Sequence, residues 1–191
     1  MPPVPPASQE AHDAALLRRV VQQERRAFEE LYHGYHRRLS RFLMRLAPRL
    51  DFAEEIINDT FWVVWTKAAE FRGASRVSTW IMGIAYRRAL RALRTARHQA
   101  AQLQEALPEQ TNGVEYAEAG DLQDWIAQAL ATLPAEQRLT LELAYYMGHS
   151  CEEIAAITAA PVGTVKARMF HARAKLRAAL PALGGERQGA S

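Results

Sequence analysis

Residues 150–177 hold the side chains of this sequence that are best suited to bind DNA. Residues 162–180 include five basic residues and no acid, with one histidine among them. The set is Lys166, Arg168, Arg173, Lys175 and Arg177, together with His171. Lysine and arginine neutralise backbone phosphates, and they also bind base edges when a helix lies in the major groove. The segment therefore predicts a DNA-binding surface.

The residues around this basic segment predict a helix-turn-helix. Ser150 and Glu153 form a capping-box pattern, in which each side chain bonds the other residue's backbone amide. The chain then turns at Ala159 and Ala160, and Pro161 suits a first helical position because it has no amide to donate. In a helix-turn-helix the second helix enters the major groove.

The remaining charges are grouped in blocks along the chain, although the net charge is only +3. Residues 72–98 contain seven arginines and no acid, residues 51–70 contain five acids and one lysine, and residues 99–124 contain six acids without lysine or arginine. Arg87, Arg91 and Arg94 are spaced to form one stripe of a helix, with Arg88 beside it. Such blocks favour separate surfaces for separate partners, whereas solvated faces and a flexible acidic linker would explain any one block alone.

Signals for other chemistries are weak. The sequence has no glycine-rich phosphate loop, no Gly-x-Ser-x-Gly and no His-Glu-x-x-His. His33 and His36 have helical spacing, but two ligands do not make a metal site. Cys151 could be a redox-sensing thiol at a helix start, but a buried or bystander thiol is the favoured interpretation. We therefore expect no active site, no metal and no cofactor.

The chain is expected to act in the cytoplasm and not to insert into a membrane. A single cysteine excludes an internal disulfide and suits a reducing compartment. No apolar run approaches the roughly 20 residues of a membrane span, and the proline-rich start does not resemble a signal peptide.

Hydrophobic periodicity predicts an all-α protein of two small helical domains. Helices are expected near residues 11–23, 26–46, 52–71 and 78–97, then near 122–133 and 135–147, followed by the helix-turn-helix. Ser78 or Thr79 is expected to cap the fourth helix, and Trp80 to lie in the core. We place the first domain at 11–97, a flexible acidic linker at 98–121 and the second domain at 122–180. Disordered tails are expected at 1–10 and 181–191.

Two sets of motifs give the chain a family resemblance. The first half contains Ala27-Phe28-Glu29-Glu30-Leu31-Tyr32, Asp51-x-Ala53-Glu54-Glu55-Ile56-x-Asn58-Asp59-x-Phe61, Phe71-Arg72-Gly73 and Ser78-Thr79-Trp80-Ile81. The second contains Leu133-Pro134-x-x-x-Arg138, Ser150-x-Glu152-Glu153-Ile154-Ala155 and Pro161-Val162-Gly163-Thr164-Val165-Lys166-x-Arg168. With these motifs the chain resembles bacterial RNA polymerase sigma factors of the extracytoplasmic-function (ECF) group, which keep only regions 2 and 4 of larger sigma proteins.

The resemblance implies three binding sites. Core polymerase, through its β′ clamp coiled coil, would bind Asp51, Glu54, Glu55, Asn58 and Asp59. The −10 promoter element would be opened and bound by Arg72, Arg76, Arg87, Arg88, Arg91 and Arg94. The −35 element would be bound by Thr164, Lys166, Ala167, Arg168, Phe170, His171 and Arg173, with Arg168 and Arg173 suited to phosphates or packing.

The resemblance also implies partners and a competing interpretation. Promoter DNA, the polymerase β subunit near region 4 and an anti-sigma factor would be partners, and the acidic linker would follow the RNA exit path. A stand-alone helix-turn-helix regulator is the alternative, but it leaves the acidic helix of the first half unexplained. Some positions differ from the usual pattern. Ala159 replaces a turn glycine, which predicts a turn that is strained or differently shaped, and Arg87, Ala167 and His171 alter DNA-reading positions. On the docking face, Asn58 replaces a common glutamine.

Overall fold

Helices make up almost all of the structure, a computed structural model that describes residues 7–46, 51–102, 129–130 and 132–185. The helices are α1 (Ala7–Val21), α2 (Arg25–Leu46), α3 (Asp51–Lys67), α4 (Val77–Gln102), α5 (Ala135–Tyr145), α6 (Cys151–Thr158) and α7 (Val162–Gly185). A short 3₁₀ turn, Ala68–Glu70, follows α3. No strand occurs within the described ranges, so the predicted all-α class is confirmed.

Helices α1 to α4 pack around apolar side chains that recur every three or four residues. On α2, Leu31, Leu39 and Phe42 are almost fully buried, and Phe61 of α3 and Ile81 of α4 are buried against them. This spacing places the apolar side chains on one face of each helix, and that face is buried in the core. The bundle fixes α3 and α4 side by side, with the acidic residues of α3 and the arginines of α4 on its surface.

Helices α5 to α7 form a smaller unit that packs on the first bundle. Leu143, Ile154 and Val165, one from each helix, are buried together. The core is continuous with that of the first bundle because α6 packs against α4. A hydrogen bond of 3.2 Å from Arg38 Nη2 to the carbonyl oxygen of Met147 also joins the two halves.

Three helices extend beyond their predicted ends. Helix α1 begins at Ala7 within the predicted tail, α4 continues to Gln102 within the predicted linker, and α7 continues to Gly185 beyond residue 180. Alanine and glutamine dominate the α4 extension, residues 98–102, and both favour helix. The α7 extension, residues 181–185, contains one proline and two glycines, so helix propensity does not explain it. Residues 103–121 of the predicted linker lie outside the described residues. So does most of the helix predicted near 122–133, although residues 129 and 130 are helical.

The start of α4 differs from its predicted capping. The helix begins at Val77, whose amide donates a 2.7 Å hydrogen bond to Glu10 Oε1 of α1. Ser78 and Thr79 are therefore inside the first turn, and both are buried. The carboxylate of Glu10 satisfies an amide that a local serine or threonine was expected to satisfy.

Candidate functional site

The turn between α6 and α7 has the geometry that its sequence predicts. Ser150 Oγ accepts from the Glu153 amide at 3.2 Å, and Glu153 Oε2 accepts from the Ser150 amide at 2.8 Å, which completes the capping box. Ala159 has φ 53° in the left-handed region, so the predicted strain of the turn is confirmed. Helix α7 begins at Val162, one residue later than predicted, and the carbonyl of Pro161 accepts from the Val165 amide.

One face of α7 is open to solvent along its first half. Thr164, Lys166, Ala167 and His171 are exposed, and Phe170 is 69% exposed. The ring of Phe170 contacts that of His171 edge to face, with centroids 5.5 Å apart. An exposed phenylalanine beside basic and small side chains can contact base edges, because apolar groups pack against the thymine methyl.

Two basic residues of α7 are bound to α5 instead. The Arg168 guanidinium donates to Glu136, and its side chain is only 24% exposed. The Arg173 guanidinium lies 5.6 Å from the ring centre of Tyr145. These contacts position α7 on α5, which fits the predicted packing role of both arginines.

The acidic surface of α3 is exposed over one turn and a half. Glu54, Glu55, Asn58 and Asp59 are all exposed, and Asp51 is the first residue of the helix. Among them, Glu54 lies 3.1 Å from His36 Nε2, and Asn58 Oδ1 accepts from the Tyr32 hydroxyl at 3.2 Å. Exposed pairs of this kind are worth about 0–1 kcal/mol, so a partner's cations can replace them at little cost.

The arginines of α4 do not all face the same way. Arg87, Arg91 and Arg94 are exposed, as the stripe predicts. Arg88 is half-buried and its Nη1 lies 3.2 Å from Asp59 Oδ2 of α3. The pair joins a predicted −10 residue to a predicted docking residue. Arg94 lines a groove of about 460 Å³ that also contains residues of α5.

The loop before α4 contains one arginine that is open and one that is bound. Arg72 is exposed, next to Gly73 with φ 70°, whereas Arg76 Nε lies 3.1 Å from Glu153 Oε1. The rings of Phe71 and Trp80 have centroids 5.2 Å apart, and Trp80 packs against the core. The predicted packing role of Trp80 is confirmed.

Glu153 is one of the residues that join the two halves. Its side chain is 13% exposed, and Oε1 also accepts from the Thr79 hydroxyl of α4 at 3.0 Å. The buried imidazole of His149 lies 3.6 Å from Oε2, which is an electrostatic contact rather than a hydrogen bond. Burial alone would raise the pKa of Glu153, but the neighbouring His149 and the hydrogen bonds from Ser150 and Thr79 lower it to about 2.

The local sequence pattern predicts only a capping role for Glu153. Its contacts with Arg76 and Thr79 join residues far apart in the chain, and no local pattern indicates them. No local pattern indicates the exposure of Trp62 either, although it is 65% exposed next to the acidic surface. An exposed tryptophan in a helical pattern is not distinguished by its spacing from a buried one.

The described part of the chain contains neither a metal-binding cluster nor a membrane-spanning helix. No group of three His, Cys, Asp or Glu residues there is arranged to hold a metal ion. Of its helices, none is both apolar enough and long enough to cross a membrane. Cys151 is half-buried as the first residue of α6.

This geometry defines a class of protein: a helical bundle with an acidic face and an arginine helix, attached to a DNA-binding helix-turn-helix. The family models agree. Sigma-70 region 2 matches residues 31–99, and Sigma-70, region 4 matches residues 123–176.

Curated relatives narrow the class. The chain is 32% identical over 172 residues to the ECF RNA polymerase sigma factor SigK of Mycobacterium tuberculosis, covering 85% of this chain and 90% of SigK. It is 34% identical over 171 residues to the ECF RNA polymerase sigma factor SigM of the same species, covering 87% and 84%. The chain belongs to the ECF RNA polymerase sigma factors, and it is an alternative sigma factor that directs transcription initiation.

Solved structures share the fold. The sigma factor RpoE of Bartonella quintana, in complex with the anti-sigma factor NepR, has a TM-score of 0.67 and 27% identity, covering 81% of this chain and 96% of RpoE. CnrH, in complex with the cytosolic domain of CnrY, has a TM-score of 0.64 and 22% identity, covering 90% and 98%, and its likeness concerns the fold alone.

Proposed function

We propose that the sigma activity depends on three surfaces of this chain that bind polymerase, −10 DNA and −35 DNA. The observation that carries the proposal is their separation: an exposed acidic face on α3, exposed arginines on α4 and an exposed reading face on α7. Each surface has the charge that its partner requires. No second function is favoured by any contact of the described residues.

The acidic face, made of Asp51, Glu54, Glu55, Asn58 and Asp59, binds the β′ clamp coiled coil of core polymerase. Carboxylates opposite basic side chains speed the encounter and set the orientation more than they add affinity. Exposure of Glu54, Glu55 and Asp59 supports this role. Glu54 and Asp59 form only weak surface pairs, and Glu55 has no ion-pair partner among the residues that the structure describes.

The arginine surface binds the melted −10 element. Arg72, Arg87, Arg91 and Arg94 are exposed and available to phosphates of a single strand. Arg76 and Arg88 are held by Glu153 and Asp59, so these two bind DNA only after those ion pairs open. A phosphate offers the same bidentate acceptor as the carboxylate that it replaces.

The reading face of α7 binds duplex −35 DNA. Lys166, Ala167, Phe170 and His171 supply base and nearby backbone contacts, and Thr164 at the helix start binds a phosphate. Arg168 and Arg173 hold α7 on α5 and act by positioning it.

The proposal also covers the catalytic role, the location and a further partner of the protein. The bond-forming chemistry belongs to the polymerase, so the chain itself is not an enzyme and needs no cofactor. It acts in the cytoplasm, where core polymerase and DNA are. An anti-sigma factor is a partner, supported by the complex of RpoE with the anti-sigma factor NepR.

Run-off transcription with purified core polymerase tests the proposal. Genomic fragments should yield discrete transcripts only when the chain is added. E54K/E55K should abolish transcripts and core binding while leaving the unfolding temperature unchanged, and K166A should weaken −35 binding without altering core affinity. Normal initiation by E54K/E55K would show that the docking assignment is wrong. A stand-alone regulator would instead bind duplex operator DNA with full affinity in the absence of polymerase.

A further inference from the structure

An aromatic groove lies between α2 and α3, directly beside the acidic face. Its walls include Phe28 and Tyr32 of α2, and Phe61, Trp62 and Trp65 of α3. The volume is about 430 Å³, and the polar residues Gln23, Arg25 and Asn58 lie at its margin. The groove is therefore large enough for one or two bulky apolar side chains.

The floor of the groove is held in place by ring contacts. Phe28 contacts Phe61 and Trp65 edge to face, with centroid distances of 5.9 and 5.1 Å, and Tyr32 contacts Phe61 at 4.9 Å. Such contacts fix ring orientation, so little side-chain entropy remains to be lost when a partner packs against the floor.

Trp62 differs from these rings because it is exposed. It is 65% exposed, and no ring contact within the described residues holds its indole. It follows Asn58 and Asp59 by one helical turn, and these two residues belong to the acidic face. Exposing an indole to water is unfavourable, and tryptophan is enriched among residues that dominate binding energy at protein interfaces.

We infer that Trp62 and the aromatic groove form the apolar centre of the polymerase-docking surface, with the carboxylates of α3 as its polar rim. The inference rests on the proposed docking of α3 to the β′ clamp. The occupant is a basic helix of core polymerase that inserts a large apolar side chain beside Trp62. Two observations favour this occupant: Asn58 belongs to both the acidic face and the groove, and the adjacent carboxylates attract a positively charged partner. Acidic rim residues give orientation, while the groove supplies the affinity that exposed ion pairs lack.

The test measures the Kd between full-length protein and core polymerase for W62A, W62F and M44A. W62A should weaken binding at least about tenfold, whereas W62F, which keeps an apolar ring, should lose much less. Met44 is 41% exposed and lies twelve residues after Tyr32 on α2, about 18 Å along the helix, so M44A is the matched control. The control should bind like the unmodified protein.

The salt dependence of binding distinguishes the contribution of the apolar groove from that of the acidic rim. The factor by which W62A raises the Kd for core polymerase should stay the same when ionic strength rises. The factor for E54Q should become smaller, because salt screens exposed charges. Each variant should keep the helical circular dichroism and thermal unfolding of the unmodified protein.

The outcomes distinguish the inference from the proposed function. Loss of binding in E54K/E55K with unchanged binding in W62A would overturn the groove inference and leave the docking proposal intact. Loss of binding in both E54K/E55K and W62A would support both the docking proposal and the groove inference. Unchanged binding in E54K/E55K would overturn the docking proposal and the inference that rests on it, whatever W62A does.

Discussion

Arg76 Nε lies 3.1 Å from Glu153 Oε1, so the loop that precedes the arginine helix is bound to the first turn of the helix-turn-helix. Glu153 thus has two roles, because the same carboxylate also accepts from the Ser150 amide in the capping box. The pair connects two of the three surfaces through which the chain is proposed to act. The Arg76–Glu153 ion pair must break when −10 DNA binds Arg76.

Glu153→Gln should destabilise the protein by about 1–2 kcal/mol, because an amide keeps part of the capping geometry but loses the charge-assisted bonds. Urea unfolding measures the change. Glu152→Gln is the control, since Glu152 is 64% exposed and its pairing with Lys166 at 3.6 Å is worth little. Equal stabilities of the two variants would contradict the importance of the Arg76–Glu153 pair.

The stabilisation by Glu153 should depend on pH in a defined direction. Its pKa is lowered to about 2 in the folded chain, so the unfolded chain binds the proton first as pH falls. The contribution is complete above the ordinary glutamate pKa of about 4.3 and is lost as pH falls from there towards 2. The stability difference between the unmodified protein and Glu153→Gln should therefore narrow as pH falls from about 4.3 towards about 2.

Glu10 gives that experiment an internal check. Burial raises its pKa, despite the hydrogen bond from the Val77 amide, so its contribution to stability falls as pH rises. Both proteins carry Glu10, and the charge of Glu153 is the smallest of the causes that shift the pKa of Glu10, so most of the Glu10 contribution cancels in the stability difference between the two proteins. A stability difference between the unmodified protein and Glu153→Gln that does not change with pH would contradict the lowered pKa of Glu153.

Ala159→Gly should stabilise the protein by about 1 kcal/mol. Ala159 has φ 53°, a conformation that costs an alanine about 1–2 kcal/mol and glycine almost nothing. The matched control is Ala156→Gly, an exposed position inside α6, where glycine should destabilise by about 1 kcal/mol. The same substitution at two nearby alanines is thus predicted to have opposite signs in urea unfolding.

Phe170 should make −35 binding sensitive to a thymine methyl group. Replacing the contacted thymine by deoxyuridine removes one methyl, worth about 0.8 kcal/mol, or about fourfold in Kd. Fluorescence anisotropy of the holoenzyme on a selected −35 duplex measures the loss. F170A should bind the thymine and deoxyuridine duplexes equally. If it still discriminates between them, Phe170 is not the contact.

Arg91→Ala should weaken binding to melted −10 DNA regardless of base sequence. Arg91 is exposed on α4, and loss of one phosphate contact should lower the salt slope of binding by about 1. Fork-junction DNA titrated at several salt concentrations measures this slope. An unchanged slope would place Arg91 outside the DNA path.

Local features of this structure could be predicted from the sequence, and long-range contacts could not. The capping box of Ser150 and Glu153 spans three residues, so the sequence contains its whole pattern. The cap of α4 comes from Glu10 on another helix, and no spacing rule indicates it. The position of Arg168 in the motif predicts a contact with DNA or a packing role, but only the fold shows that Glu136 is its partner.

The most direct test of the central claim is permanganate footprinting of unpaired thymines on a promoter selected with the reconstituted holoenzyme. Core polymerase plus this chain should make thymines of the −10 element reactive, while either component alone, or core with E54K/E55K, should not. Reactivity that is absent with the complete holoenzyme, or equally strong with E54K/E55K, would contradict the account.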